Sequence, residues 1–106
     1  MILSFVKMNA VPSKRQSIIE ILRSVEGQTR AKPGCLSCAM YETPDQKRTI
    51  LYVEHWESGE QLTKHIRSGL YLRVLAAMEL ASEPPEISFH EVTETKGFEL
   101  IEHLRA

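Results

Sequence analysis

Apolar residues recur along the chain at two spacings, which predict alternating strands and helices. In residues 2–9 they occupy both alternating positions, which predicts a strand with two partly buried faces. After Pro12 they follow the i, i+3, i+4, i+7 spacing of an amphipathic helix, predicted from about residue 13 to residue 30. Ser13, with Gln16 three residues later, matches a capping box at the predicted start. The apolar positions of this helix are Ile18, Ile19, Ile21, Leu22 and Val25.

The middle of the chain predicts a β-hairpin. Residues 35–42 and 49–56 are rich in apolar residues, β-branched and aromatic in the second segment, and both predict strands. Between them, residues 43–47 read Thr-Pro-Asp-Gln-Lys, a composition typical of turns. Two strands joined by so short a turn are expected to pair antiparallel.

A broken helix is predicted after this hairpin. Ser58 and Gln61 match a second capping box, and Ser68-Gly69 interrupts the helix that follows. Helical spacing resumes over residues 70–80, and Pro84-Pro85 ends it firmly. The positions that carry the resumed spacing are Leu72, Leu75, Ala76 and Met78.

The complete order of predicted elements is β-α-β-β-α-β. Residues 86–93 supply the last strand. Residues 98–105 alternate loosely, which fits either a short strand or a helical turn and favours the strand. This order is the split βαβ arrangement of ferredoxin-like folds. The sequence therefore predicts an α+β domain with a four-stranded antiparallel sheet and both helices on one face.

Both faces of the predicted sheet are apolar, although the helices can cover only one. In the third strand, Leu51 and Val53 point to one face, and Tyr52 points to the other. Soluble monomers avoid a large exposed apolar patch, and two such sheets can bury theirs by packing face to face. The pattern therefore predicts a homodimer formed through the sheet face.

Composition narrows the function classes. The 106 residues include 13 Lys+Arg and 14 Asp+Glu, a formal net charge of −1. This near balance argues against a nucleic-acid partner and an electrostatic membrane anchor. The length fits one domain over residues 1–106, with a core of about 2–94 and a tail, 95–106, that can cross to a partner subunit. No secretory leader, membrane span or disulfide framework is evident, so we expect a cytoplasmic protein.

Two cysteines and four histidines are the first candidates for chemistry. Cys35-x-x-Cys38 begins a strand, whereas a redox motif needs a thiolate stabilised at a helix N-terminus. A separation of three places the two thiols on opposite faces of a regular strand, and there is no second cysteine pair to complete a zinc site. The histidines show no metal-binding spacing. We therefore expect small, buried cysteines and no metal.

A carboxylate, an indole and an imidazole form a second candidate site. Glu54 and Trp56 are two residues apart on one strand and so share a face. If that face meets the helices, both point towards His65 on the second helix. A carboxylate there could orient or charge the imidazole. The alternative is that Trp56 belongs to the core, Glu54 pairs with a surface Lys or Arg, and His65 is structural.

Four short blocks lie along the chain in a distinctive order: Pro33-Gly34-Cys35-Leu36-Ser37, Glu54-x-Trp56-Glu57-Ser58, Leu62-x-x-His65-x-x-Ser68 and Glu83-Pro84-Pro85-Glu86. In this order and spacing they make residues 2–94 resemble the antibiotic biosynthesis monooxygenase family. Many members continue after the helical histidine with Ser-Pro-His-Phe. This chain has Ser68-Gly69-Leu70-Tyr71 there, so the second histidine is absent and an aromatic residue is kept.

The resemblance implies a dimeric α+β barrel and an oxygenase that uses no cofactor on a quinol or polycyclic phenol. Such a site would take His65 as its base, with Trp56 and Glu54 beside it as catalytic residues. Asn9 and Tyr71 would bind the small aromatic substrate. The resemblance leaves two other functions open. One is haem binding and degradation with His65 as the axial ligand, and the other is a dimeric ligand-binding module without catalysis.

Overall fold

The computed structural model describes residues 1–106 and contains four strands and four helices. The four predicted strands of the sheet are confirmed to within two residues at each end. The interrupted second helix is two separate helices. The elements are β1 (Ile2–Met8), α1 (Pro12–Arg30), β2 (Cys35–Glu42), β3 (Ile50–Trp56), α2 (Gly59–Ile66), α3 (Tyr71–Glu79), β4 (Glu86–Glu91) and α4 (Phe98–Arg105).

The strands form one antiparallel sheet in the order β2-β3-β1-β4. The long β1 and β3 therefore occupy the centre, where Ser4 pairs with Glu54 and Met8 pairs with Ile50. Both crossover connections contain helices, as the predicted ferredoxin-like order requires. The α+β fold class is confirmed.

The core lies between one face of this sheet and helices α1 and α3. Along β3, every second residue from Ile50 to Trp56 is buried and the others are half-buried, which is the period of a strand with one covered face. Helix α1 packs on β2 and α3, and its buried side chains include Ile18, Leu22 and Val25, as predicted. The opposite sheet face, which includes Phe5 and Val53, has no helix on it.

Two local predictions about the helices are wrong. Helix α1 begins at Pro12 after Val11 and has no side-chain cap, because proline suits the first helical position, where its missing N–H is not needed. In α3, the buried residues are Tyr71, Val74 and Ala77, whereas the predicted positions Leu72, Leu75 and Ala76 are exposed and Met78 is half-buried. The covered face of α3 therefore follows a different row of residues, three apart, from the one that the sequence indicated.

The tail is a helix, so the favoured short strand is wrong and the helical alternative is confirmed. Helix α4 has no buried residue, and its apolar side chains, Phe98, Leu100, Ile101 and Leu104, are exposed. The radius of gyration is 15.5 Å. A compact chain of this length would have about 13 Å. The tail therefore projects from the body of the domain. None of the helices is both long and apolar enough to cross a membrane.

Candidate functional site

Glu54, Trp56 and His65 meet in the buried layer between β3 and α2. One carboxylate oxygen of Glu54, Oε1, accepts a hydrogen bond from the indole Nε1–H of Trp56 at 2.9 Å. The other oxygen, Oε2, lies 2.9 Å from Nε2 of His65. All three side chains are at most 1% exposed. The structure therefore brings together the three residues that the sequence singled out.

Regular local structure explains this convergence. The alternation of β3 directs Glu54 and Trp56 to the helix-covered face. Ser58 then caps α2 by accepting a hydrogen bond from the backbone N–H of Gln61, as the capping box predicted. The inward face of the short helix carries Leu62 and His65, three residues apart, which is the helical spacing for one face.

The buried carboxylate is held in its charged form. Burial alone would raise the pKa of Glu54, but hydrogen bonds from His65 and Trp56 outweigh it and lower that pKa below its usual value. A charged Glu54 accepts hydrogen bonds on both oxygens and donates none. The Nε2 atom of His65 therefore carries a hydrogen, and this N–H donates a hydrogen bond to Glu54.

Lys32 completes the site on the other side of the imidazole, and the sequence analysis missed it. Its ammonium nitrogen lies 2.9 Å from Nδ1 of His65 and 2.9 Å from the Ser68 hydroxyl. Lys32 enters from the loop between α1 and β2, where Gly34 has a positive φ of 84°. A Cβ atom at Gly34 would collide with the side chain of Gln61. The only signal for this approach in the sequence was the Pro33-Gly34 pair.

Aromatic rings enclose the imidazole. The ring of Trp56 is tilted against it at a centroid distance of 4.7 Å, and Tyr71 meets it edge-on at 5.2 Å. Burial, with the negative charge of Glu54, raises the pKa of Tyr71 to about 12, so the phenol keeps its proton. Tyr71 therefore lies against His65, and its predicted role in substrate binding stays a prediction.

A cleft of about 300 Å³ opens beside this group. Two lysines contribute to its wall, Lys32 and Lys64, and the second lies on the exposed surface of α2. The volume is at the lower end of the range for small-molecule sites. The remaining lining residues are Pro33, Trp56, Gln61 and His65.

Asn9 lies at the opposite end of the sheet. It follows β1 and hydrogen-bonds Thr49 and Glu83. Thr49 immediately precedes β3 and is five positions from Glu54, which is about 17 Å at the usual rise of a strand. Asn9 borders a separate polar cleft of about 560 Å³, together with Arg15. The structure does not bring Asn9 to His65.

Both cysteine thiols lie on the helix-covered face, so the expectation of opposite faces is wrong. A register shift between Cys35 and Ser37 inserts an extra residue, and Cys35 then pairs with Trp56 while Cys38 pairs with Glu54. Cys38 is buried, as predicted, whereas Cys35 is only half-buried. Burial raises the pKa of Cys38 to about 12, so this thiol keeps its proton at neutral pH.

The residues around His65 do not fit haem ligation. An axial histidine needs a free nitrogen lone pair directed at the iron. Nε2 of His65 is bonded to Glu54, and Nδ1 is bonded to Lys32. The imidazole is also only 1% exposed and enclosed by aromatic rings. Iron would have to displace either Lys32 or Glu54 to reach it.

Fold and site together define a class of protein: a ferredoxin-like α+β domain with a carboxylate–histidine–lysine chain between its sheet and its helices. The sequence profile described as antibiotic biosynthesis monooxygenase matches residues 1–77. Because this match covers more than half of the chain, the protein belongs to the antibiotic biosynthesis monooxygenase family, as its motifs predicted.

Solved structures of low sequence identity share the fold. A candidate antibiotic biosynthesis monooxygenase from Deinococcus radiodurans superposes with a TM-score of 0.81 at 22% identity, covering 92% of this chain and 97% of its own. Rv0793 from Mycobacterium tuberculosis also gives 0.81, at 23% identity, covering 91% of this chain and 98% of its own. A protein from Methanosarcina mazei gives 0.78 at 22% identity, covering 85% and 90%.

An uncharacterised protein of Synechocystis, sll1783, is related in sequence. It is 26% identical over 86 residues, which are 80% of this chain. The match spans 58% of the length of sll1783, so the relative is considerably longer than the matched region.

Proposed function

We propose that this protein is a cofactor-independent monooxygenase that acts with O₂ on a quinol or a polycyclic phenol. The observation that carries the proposal is the buried Glu54–His65 pair beside a cleft of suitable size. An imidazole held by a carboxylate is a common general base near neutral pH. Membership of the monooxygenase family supports the reaction class.

The proposed chemistry begins with removal of the phenol proton by His65. Glu54 stabilises the imidazolium that forms, because its charged carboxylate faces Nε2. The electron-rich phenolate then passes an electron to O₂, and the two radicals combine at a ring carbon. The peroxide anion takes the proton back from the His65 imidazolium, and the hydroperoxide that forms loses water, together with the hydrogen of that ring carbon, to leave a quinone. One oxygen atom of O₂ enters the product, and the other leaves as water.

Oxygen uptake with reduced quinols tests this proposal. We expect uptake above the autoxidation rate measured without protein, and His65→Ala should reduce the catalysed rate about 10²–10⁴-fold, the usual contribution of a general base. His103→Ala is the matched control, because His103 lies on the exposed helix α4. Equal rates for His65→Ala and wild type would remove the assigned role. Ligand binding without any uptake would favour the non-catalytic module.

We also propose that the protein acts as a homodimer through the sheet face that no helix covers. Val53 lies near the centre of that face and Phe5 pairs with it across the strands. Burying this apolar face against a second copy would remove it from water. The protruding helix α4, with its exposed apolar side chains, would then pack on the partner.

Light scattering tests the dimer. We expect twice the chain mass of 12.1 kDa for wild type and a monomer for Val53→Lys, which places a charge in the contact. Gln28→Lys adds the same charge on the exposed surface of α1 and should stay dimeric. A monomeric wild type, or an unchanged mass for Val53→Lys, would contradict this assignment.

A further inference from the structure

Lys32 occupies the one place from which a cleft ligand could reach His65. Its ammonium nitrogen lies on the cleft wall, 2.9 Å from Nδ1 of His65 and 2.9 Å from the Ser68 hydroxyl. Glu54 blocks the other ring nitrogen, and Trp56 and Tyr71 enclose the imidazole. A proton can therefore enter or leave His65 from the cleft only at Nδ1.

The direction of the hydrogen bonds determines the state of the empty site. A neutral imidazole has one ring N–H, and Nε2 uses it towards Glu54, so Nδ1 is left as an acceptor and the hydrogen between the two nitrogens belongs to Lys32. Nδ1 of His65 then accepts from the ammonium, while Nε2 donates to Glu54. With both nitrogens occupied, His65 cannot accept a proton until Lys32 moves away.

The ammonium of Lys32 has no carboxylate in direct contact. No acidic side chain lies within ion-pair distance of it, and the negative charge of Glu54 reaches it only across the imidazole ring. Two of its three N–H groups have the partners His65 and Ser68. A half-buried cation with a spare donor, next to a cleft, is suited to a negatively charged oxygen.

We propose that Lys32 caps His65 in the empty site and binds the oxyanion of a phenolate in the loaded site. The phenol proton passes to Nδ1 of His65 as the ammonium turns from Nδ1 to the phenol oxygen. The products of this step are a phenolate paired with the Lys32 ammonium and an imidazolium paired with Glu54. One O–H bond breaks, one N–H bond forms, and no oxidant is needed.

This inference rests on the proposed function only in taking a phenol as the ligand. It specifies the substrate class as a phenol bound in its ionised form. Lys64 also faces the cleft, but its side chain is 76% exposed and it lies 3.7 Å from Glu60 on the same helix. Lys64 therefore provides a matched comparison, since it has the same charge and borders the same cleft but does not touch His65.

Binding of 4-nitrophenol tests the proposal, because the absorption of this probe shifts to longer wavelength on ionisation. Bound probe is titrated with acid in wild type, Lys32→Gln, Lys32→Arg and Lys64→Gln. A cation in contact with the phenolate should shift its ionisation in wild type by about one to three pH units below that of free probe. Lys64→Gln should keep this shift, Lys32→Arg should keep part of it, and Lys32→Gln should abolish it.

Three results would overturn the proposal: no probe binding to wild type, no shift on binding, or an unchanged shift in Lys32→Gln. Circular dichroism checks that each variant is folded, and Lys32→Arg retains the charge if Lys32→Gln is unstable. Oxygen uptake with reduced quinols is measured on the same wild-type protein. An ionised bound probe without oxygen uptake would contradict the monooxygenase proposal and leave the role of Lys32 intact.

Discussion

Replacing Glu54 by glutamine changes one oxygen of the buried site to an amide nitrogen. The carboxylate accepts from both Trp56 and His65, whereas an amide has a single acceptor oxygen. If the His65 tautomer changes so that Nε2 accepts the amide N–H, then Nδ1 carries the proton. That proton would face the ammonium of Lys32, which is itself a donor. While Lys32 stays in place, both tautomers set one N–H group against another donor.

The burial of Glu54 determines how much stability the substitution should remove. Glu54 is fully buried, so water cannot replace the lost acceptor. An unsatisfied buried polar group costs about 1–3 kcal/mol, and hydrogen bonds to charged groups lie in the upper part of that range. We therefore expect Glu54→Gln to lower the free energy of unfolding by about 2–3 kcal/mol. The urea midpoint should fall by about 1–2 M.

The loss should depend on pH in a direction that follows from the pKa of Glu54. The folded protein holds the pKa of Glu54 below 4.5, its ordinary value in an unfolded chain. The stability contributed by the charged carboxylate is therefore complete above about pH 4.5 and is lost as the pH falls through the lower, folded pKa. The difference between wild type and Glu54→Gln should be full at neutral pH and should shrink in acid.

Urea unfolding followed by fluorescence measures the change, because Trp56 is the single tryptophan and contacts Glu54. Circular dichroism is recorded in parallel, and protein concentration is held constant because association contributes to stability. Glu57→Gln, an exposed change one residue beyond β3, should stay within about 0.5 kcal/mol of wild type. Equal midpoints for Glu54→Gln and wild type at neutral pH would refute the hydrogen-bond assignment.

Three further results are expected. Gly34→Ala should lower the free energy of unfolding in urea titration by about 1–3 kcal/mol, because Gly34 has a positive φ and a Cβ atom there would collide with Gln61. Gly27→Ala is the control and should not lower it, because a Cβ atom at Gly27 meets nothing within 4 Å. A thiol reagent at neutral pH should modify half-buried Cys35 before Cys38, and equal rates in mass spectrometry would contradict this. Removal of residues 97–106 should leave the circular dichroism of the remaining domain intact and should make the dimer dissociate more readily on dilution. An unchanged dimer would show that the tail is not part of the interface.

The carboxylate–indole–imidazole part of the site could be predicted because it depends on local periodicity. A strand period of two places Glu54 and Trp56 on one face. The helix cap at Ser58, seven residues before His65, sets where α2 begins and so which of its residues point inward. Lys32 could not be predicted in this way. It meets His65 across 33 residues through a loop whose course depends on a left-handed Gly34, and loop geometry leaves no periodic signal.

The other errors also arose where local pattern is weak. Helix α4 carries its apolar residues without a surface of its own chain to bury them, so the pattern did not distinguish strand from helix. The bulge before Cys38 changes the side to which Cys35 points by adding one residue to β2. Each of these features depends on contacts between distant parts of the chain, or with a second chain.

A buried Glu54–His65 pair, joined to the half-buried Lys32, is a poor way to stabilise a small domain. Breaking a buried ion pair by removing one partner is costly, yet replacing the whole pair with apolar side chains is often neutral or stabilising. The loss expected for Glu54→Gln therefore measures what the unpaired groups cost and not what the assembled chain contributes. A domain with only 20 buried residues has little need of a buried carboxylate and a buried imidazole for folding alone. Their position beside a cleft agrees better with the proposed transfer of a proton from a ligand to His65.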